Sequence, residues 1–162
     1  MRSPEETKLD FLVGQWTSSD RTFPGPSGTG GTSRGAASYG WELGGKWLRY
    51  HFRTELPGLG PYEVQGGVAH GQNIGRYQAY AVNSLGNLLV YEGSWESDEH
   101  LVFTLVHPQR QEDTRVSYTK GPRGTVRLTS ERPRQGGGRE TYFETVLSRP
   151  DSAGQSDSAS TA

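Results

Sequence analysis

From residue 36 to residue 148 the chain is a succession of short runs, each closed by a cluster of Gly, Asn, Asp, Ser or Pro. The closings read LGG, HGQNIG, NSLGN, ESDE, KGPRG and RQGGG, and each carries the residues that tight turns require. A parallel pair of strands needs a crossover of about a dozen residues or more, usually a helix, and these links leave no room for one. The runs therefore predict antiparallel strands near 36–43, 46–56, 62–70, 75–83, 87–95, 100–107, 114–120, 124–131 and 139–148. Strands of that number pack as a sandwich or close into a barrel, and closure removes the exposed edges. The expected fold is all-β, a single antiparallel β-barrel.

The two ends of the chain differ from this pattern. Ser3, Pro4 and Glu6 spell a capping box with proline in the first turn, which predicts a short helix from Pro4 to Leu12 that Gly14 stops. Such a helix is placed to cap one barrel end. Residues 17–36 are rich in Gly, Ser, Thr and Pro and predict an irregular loop near a mouth, with at most one broken strand. The segment from Arg149, RPDSAGQSDSASTA, has too little apolar surface to order itself. The expected organisation is one barrel domain over residues 1–148 and a disordered tail over 149–162.

Composition excludes several functions. Seventeen basic residues stand against 18 acidic ones, so the basic stripe of a nucleic-acid binder is missing. No apolar run is long enough for a membrane-spanning helix. The N-terminus lacks the features of a signal peptide, and a cytoplasmic location is the simplest expectation. The chain has no cysteine, which removes disulfides, thiolate catalysis and iron–sulfur clusters.

Strand 46–56 poses the functional question most sharply. One face carries Leu48, Tyr50, Phe52, Thr54 and Leu56; the other carries Trp47, Arg49, His51, Arg53 and Glu55. If the first face is inside, the arginines sit in solvent at no cost. If the second is inside, Arg49 and Arg53 would anchor an anion beside His51, because unpartnered buried guanidinium groups cost several kcal/mol. The period of two also gathers aromatics toward one interior, among them Tyr39 with Trp41 and Tyr91 with Trp95. Many of these are ordinary core. Their hydroxyls nevertheless require partners when buried, and a cavity mixing rings with a few polar groups suits a flat organic molecule.

Other motifs carry less. His51, His70, His100 and His107 have no metal-ligand spacing, and no metal is expected. GTGG and GQNIG lack the strand–helix context of a phosphate loop. No G-x-S-x-G elbow organises a nucleophile. Glu140 and Glu144 share one face of the final strand and read as exposed carboxylates.

Three segments resemble a known family. LDFLVGQW at residues 9–16, LGGKWLRYHF, and VAHGQNIGRYQAYAVNSLG are similar to the opening, the L-G-G-aromatic strand and the hairpin of a lipocalin-like barrel family of unknown function. The resemblance spans about residues 8–148 and implies a calycin-type barrel. Two departures stand out: Ala81 and Asn83 occupy positions where the family commonly has Trp and Asp. The smaller Ala81 implies extra interior volume. Related nitrobindin barrels bind haem through a late histidine and open G-x-W-x-G-x-G. This chain reads GQWTSSD and has no histidine after His107, so haem and other cofactors are not expected.

The resulting expectation is a barrel binding a small, largely apolar organic molecule through Tyr39, Trp41, Tyr50, Phe52, Tyr77, Ala81, Asn83, Tyr91, Trp95 and Phe103. A cofactor-free cyclase or isomerase using the same cavity is the alternative, with Asn83, Tyr91 and His51 as candidate catalytic groups. A structural or interaction domain with a filled core is the third reading. The expected partner is a small organic molecule, not nucleic acid or membrane, and a homodimer is left open.

Overall fold

The computed structural model describes residues 1–26 and 28–150. The ten strands are β1 (Gly14–Thr22), β2 (Gly31–Glu42), β3 (Trp47–Leu56), β4 (Gly60–Gly71), β5 (Arg76–Asn83), β6 (Leu88–Trp95), β7 (His100–His107), β8 (Gln111–Lys120), β9 (Val126–Pro133) and β10 (Arg139–Ser148). Every strand pairs antiparallel with its sequence neighbour, and β1 pairs with β10, so the sheet closes on itself. The expected all-β antiparallel barrel is present.

The helix begins as expected. The Ser3 hydroxyl accepts from the Glu6 amide at 3.2 Å, and the Glu6 carboxylate accepts from the Ser3 amide at 2.7 Å. It runs as an α-turn, α1 (Pro4–Thr7), and tightens into a 3₁₀ turn over Lys8–Leu12. Glu6 is buried and also meets the Lys46 ammonium at 3.1 Å, which ties the cap to the β2–β3 turn. Ser3→Ala is expected to lower stability by about 1 kcal/mol, read as a lower thermal midpoint; an unchanged midpoint would show that the cap does not hold the helix.

The sequence reading of 17–36 as an irregular loop is corrected. Residues 14–22 and 31–42 are strands, and among the described residues the irregular part shrinks to 23–26 and 28–30. Strand β1 escaped notice because its inward side chains are Trp16, Ser18, Asp20 and Thr22, three of them polar. The Asp20 carboxylate repays that polarity. It accepts from the Thr54 hydroxyl of β3 and the Thr145 hydroxyl of β10, and from the Ser33 hydroxyl of β2 at 3.3 Å. One buried side chain thus joins four strands across the closing seam.

The barrel has two unlike ends. At the helix end, Leu9, Leu12, Trp16, Leu48, Val68, Leu101, Val126 and Leu147 form a tight core. Trp16 donates from Nε1 to the Leu12 carbonyl at 2.7 Å, and the Arg149 guanidinium lies 3.6 Å over its ring. Arg149 also donates to the Val13 carbonyl at 2.7 Å, so the barrel's contacts reach one residue past the expected boundary. The expectation of a disordered tail falls on residues 151–162, which lie outside the described residues. At the other end, the turns after β3 and β5, with Leu59, Leu85 and Asn87, border a mouth.

Candidate functional site

Below that mouth lies a cavity of about 590 Å³. It exists because the inward positions of neighbouring strands are small. Gly66 of β4 faces Ala81 of β5, and Val68 faces Ala79. With no side chain at Gly66, the Tyr50 hydroxyl reaches across to donate to the Tyr80 carbonyl at 3.3 Å; a Cβ there would sit 2.9 Å from the Tyr50 oxygen. The flanking strands are aromatic. Tyr39 and Tyr50 stack at 5.5 Å, Phe103 meets Tyr118 edge-on at 5.9 Å, and the Tyr39 and Tyr118 hydroxyls hydrogen-bond at 3.2 Å.

Strand β3 turns Tyr50, Phe52 and Leu56 to the cavity and leaves Arg49 and Arg53 exposed. The anion-anchor reading of the other face is therefore corrected. Arg49 pairs with Glu42 at 3.3 Å, and His51 pairs with Glu63 on the outer side. That contact with His51 draws the Glu63 carboxyl below its usual value. His51 has no access to the cavity and drops out as a candidate catalytic group.

Seven of the expected ligand-binding residues line the cavity: Tyr39, Tyr50, Phe52, Ala81, Asn83, Tyr91 and Phe103. Trp41, Tyr77 and Trp95 do not, which corrects the expectation for those three. They share the inward face but lie too far down the barrel, in the layer beneath the helix. Trp41 donates to Asp10 at 2.8 Å, Tyr77 donates to the Glu5 carbonyl at 2.6 Å, and Trp95 donates to the Tyr77 hydroxyl at 3.1 Å. Burial pushes the Tyr77 phenol up to about 12. Asn83 also differs from expectation in chemistry. Its side-chain oxygen accepts the Leu85 and Asn87 amides at 3.1 and 3.2 Å, closing the β5–β6 turn.

Sequence reasoning missed Tyr118, Tyr142, Ser130 and Arg132, all of which line the cavity. Tyr118, Ser130 and Arg132 were visible in principle, since each alternates with an inward neighbour, Val116 in β8 and Leu128 in β9. Tyr142 was not. Strand β10 slips its register between Thr141 and Phe143, so two consecutive residues, Tyr142 and Phe143, both face the cavity. The same slip separates Glu140 from Glu144. Glu140 bonds Arg132 at 3.0 Å, whereas Glu144 meets the exposed Arg127 at 3.8 Å.

Desolvation dominates the electrostatics. Burial pushes the phenols of Tyr39, Tyr50, Tyr91 and Tyr118 well above their ordinary range, and those of Tyr62 and Tyr142 upward too. At neutral pH every one is a neutral hydroxyl that can donate as well as accept. Among the described residues no group of three or more His, Asp or Glu side chains is placed to hold a metal. Nor, among the described residues, is any helix long and apolar enough to cross a membrane.

Residues 2–149 match the family described as Protein of unknown function (DUF1579). The chain belongs to that family. DUF1579 gives the protein relatives but no activity, and no curated protein matches this member. The crystal structure of Rv2717c from M. tuberculosis is similar at a TM-score of 0.63 and 16% identity, over 92% of this chain and 99% of that one. A redesigned β-barrel, b11L5F_LGL, aligns at a TM-score of 0.42 and 14% identity, over 88% of this chain and 94% of that one. The likeness to Rv2717c is one of fold alone.

Proposed function

We propose that this DUF1579 barrel binds a small, largely apolar organic molecule in the cavity, as a lipocalin-like carrier. The carrying observation is the interior of about 590 Å³ that the chain's own side chains leave unfilled beneath an accessible mouth. A space of that size is within the ordinary range of ligand sites. Apolar walls supply most of the free energy of binding such a molecule, at about 25 cal/mol per Å² buried. Tyrosine hydroxyls inside add a small number of directional contacts.

Binding is favoured over catalysis by the chemistry of the walls. Among the described residues, those lining the cavity include no His, Asp, Glu or Lys. The phenols are pushed up, not down, so none is poised as a base at neutral pH. Asn83, which led the catalytic candidates with Tyr91, spends its carbonyl oxygen on the turn.

Ala81→Trp is the direct test, because an indole at that inward position fills the space beside Gly66. Saturable binding of an apolar fluorophore to the native protein should be lost in a variant that keeps its far-ultraviolet circular dichroism. Native mass spectrometry of the purified protein should likewise show a retained small molecule that the variant lacks. Full binding by a well-folded Ala81→Trp protein would refute the cavity as the site.

A further inference from the structure

The rim of the cavity holds a charge that the binding reading above does not use. Arg132 is the only ionisable side chain other than tyrosine that lines the cavity among the described residues. It sits on β9 at the mouth, inward by the same alternation that points Leu128 and Ser130 inside, and its side chain is 29% exposed. Its guanidinium lies 5.3 Å over the Tyr142 ring and beneath Gly25 of the segment 23–30, where a Cβ would collide with Nη2.

Glu140 engages this group at one point only, accepting from Nε at 3.0 Å. Neither Nη1 nor Nη2 has a hydrogen-bond acceptor among the described residues. Those two nitrogens form a flat fork matched to a two-oxygen acceptor. Tyr142, Tyr62 and Ser130 line the same cavity and bring hydroxyl groups to it.

We infer that the ligand is an apolar molecule bearing one carboxylate, which sits on the Nη fork of Arg132 at the mouth while its apolar body descends toward Tyr39 and Tyr118. This rests on the binding reading above. A single negative charge fits better than the doubly charged phosphate, because Glu140 already offsets part of the one cation. The carboxylate adds to the Glu140 contact instead of replacing it, since Nε and the Nη pair are separate edges.

The test compares laurate with dodecanol, which share a chain and differ in the head. Calorimetric titration below the micellar concentration should give laurate a roughly ten- to hundredfold lower Kd than dodecanol, the range of a charge-assisted hydrogen bond. Arg132→Gln should bring laurate to the dodecanol level and leave dodecanol unchanged. Arg132→Lys, which keeps the charge without the fork, should fall between and guards against a fold defect in the first variant. Glu140→Gln should tighten laurate alone. Equal affinities in the native protein, or laurate binding untouched by Arg132→Gln, would overturn the inference while leaving the cavity reading intact, provided that Ala81→Trp abolishes dodecanol binding. Failure of both probes to bind the native protein would sink both.

Discussion

Asp20→Ala is expected to destabilise the barrel by about 2–5 kcal/mol, a large part of the roughly 5–15 kcal/mol that holds a domain together. Asp20 is 2% exposed, and among the described residues no basic side chain pairs with it. Its oxygens are instead the acceptors for Thr54, Thr145 and Ser33. Removing the carboxyl strands the buried Thr54 and Thr145 hydroxyls, and each unpaired buried polar group costs about 1–3 kcal/mol unless it finds another partner. Thr54 has partial alternatives in the Ser33 hydroxyl at 3.2 Å and the Arg34 carbonyl at 3.4 Å, which is why the lower bound is modest. Urea unfolding monitored by tryptophan fluorescence reads the loss as a lower midpoint at constant slope. A second variant separates polarity from packing. Asp20→Leu combined with Thr54→Val and Thr145→Val removes donors and acceptor together and should recover much of the loss. A shift below about 0.5 kcal/mol in Asp20→Ala would mean that the seam does not depend on this carboxyl.

Trp16→Ala is expected to cost about 3–5 kcal/mol, the usual range for emptying a buried aromatic site. The residue is 1% exposed and touches three parts of the chain at once: the 3₁₀ turn through Leu12, the last strand's exit through Arg149, and the core. Trp16→Phe should retain most of the packing and lose the hydrogen bond to Leu12, for a smaller cost of about 1–2 kcal/mol. Thermal unfolding of the two variants beside the native protein checks the order. Equal midpoints for Trp16→Ala and the native protein would place the indole outside the stabilising core.

How much of this was legible in the sequence depends on what a period of two encodes. Alternation sorts a strand into two faces and set Leu48, Tyr50 and Phe52 against Arg49 and Arg53; the structure turns the first set inward and the arginines outward. It says nothing about height along the barrel. Tyr39 and Trp41 share a face, yet one reaches the cavity and the other lies under the helix. Height follows from which turn lies at which end, and that needs the whole topology. Alternation also fails where polarity is internal, as in β1, whose inward Ser18 and Asp20 look like loop residues until Thr145 arrives from the far end of the chain. It fails again at a bulge, where Tyr142 and Phe143 face the same way. The departures at Ala81 and Asn83 were half informative: Ala81 borders the cavity as its size implied, while Asn83 serves the turn.

The pairing of the first strand with the last has a consequence for how a ribosome can deliver this protein. The Thr17 hydroxyl bonds the Ser148 carbonyl across 131 positions, so the seam is the contact that synthesis completes last. Until β10 emerges, the growing sheet keeps two bare edges, and contacts this distant in sequence form slowly. A nascent chain stopped anywhere before Arg139 is therefore not a slightly weakened barrel but an open sheet with its Asp20 carboxyl short of the Thr145 hydroxyl. Such a product invites edge-to-edge association. Premature termination a dozen codons short of Ser148 removes the whole of the pairing between the first strand and the last.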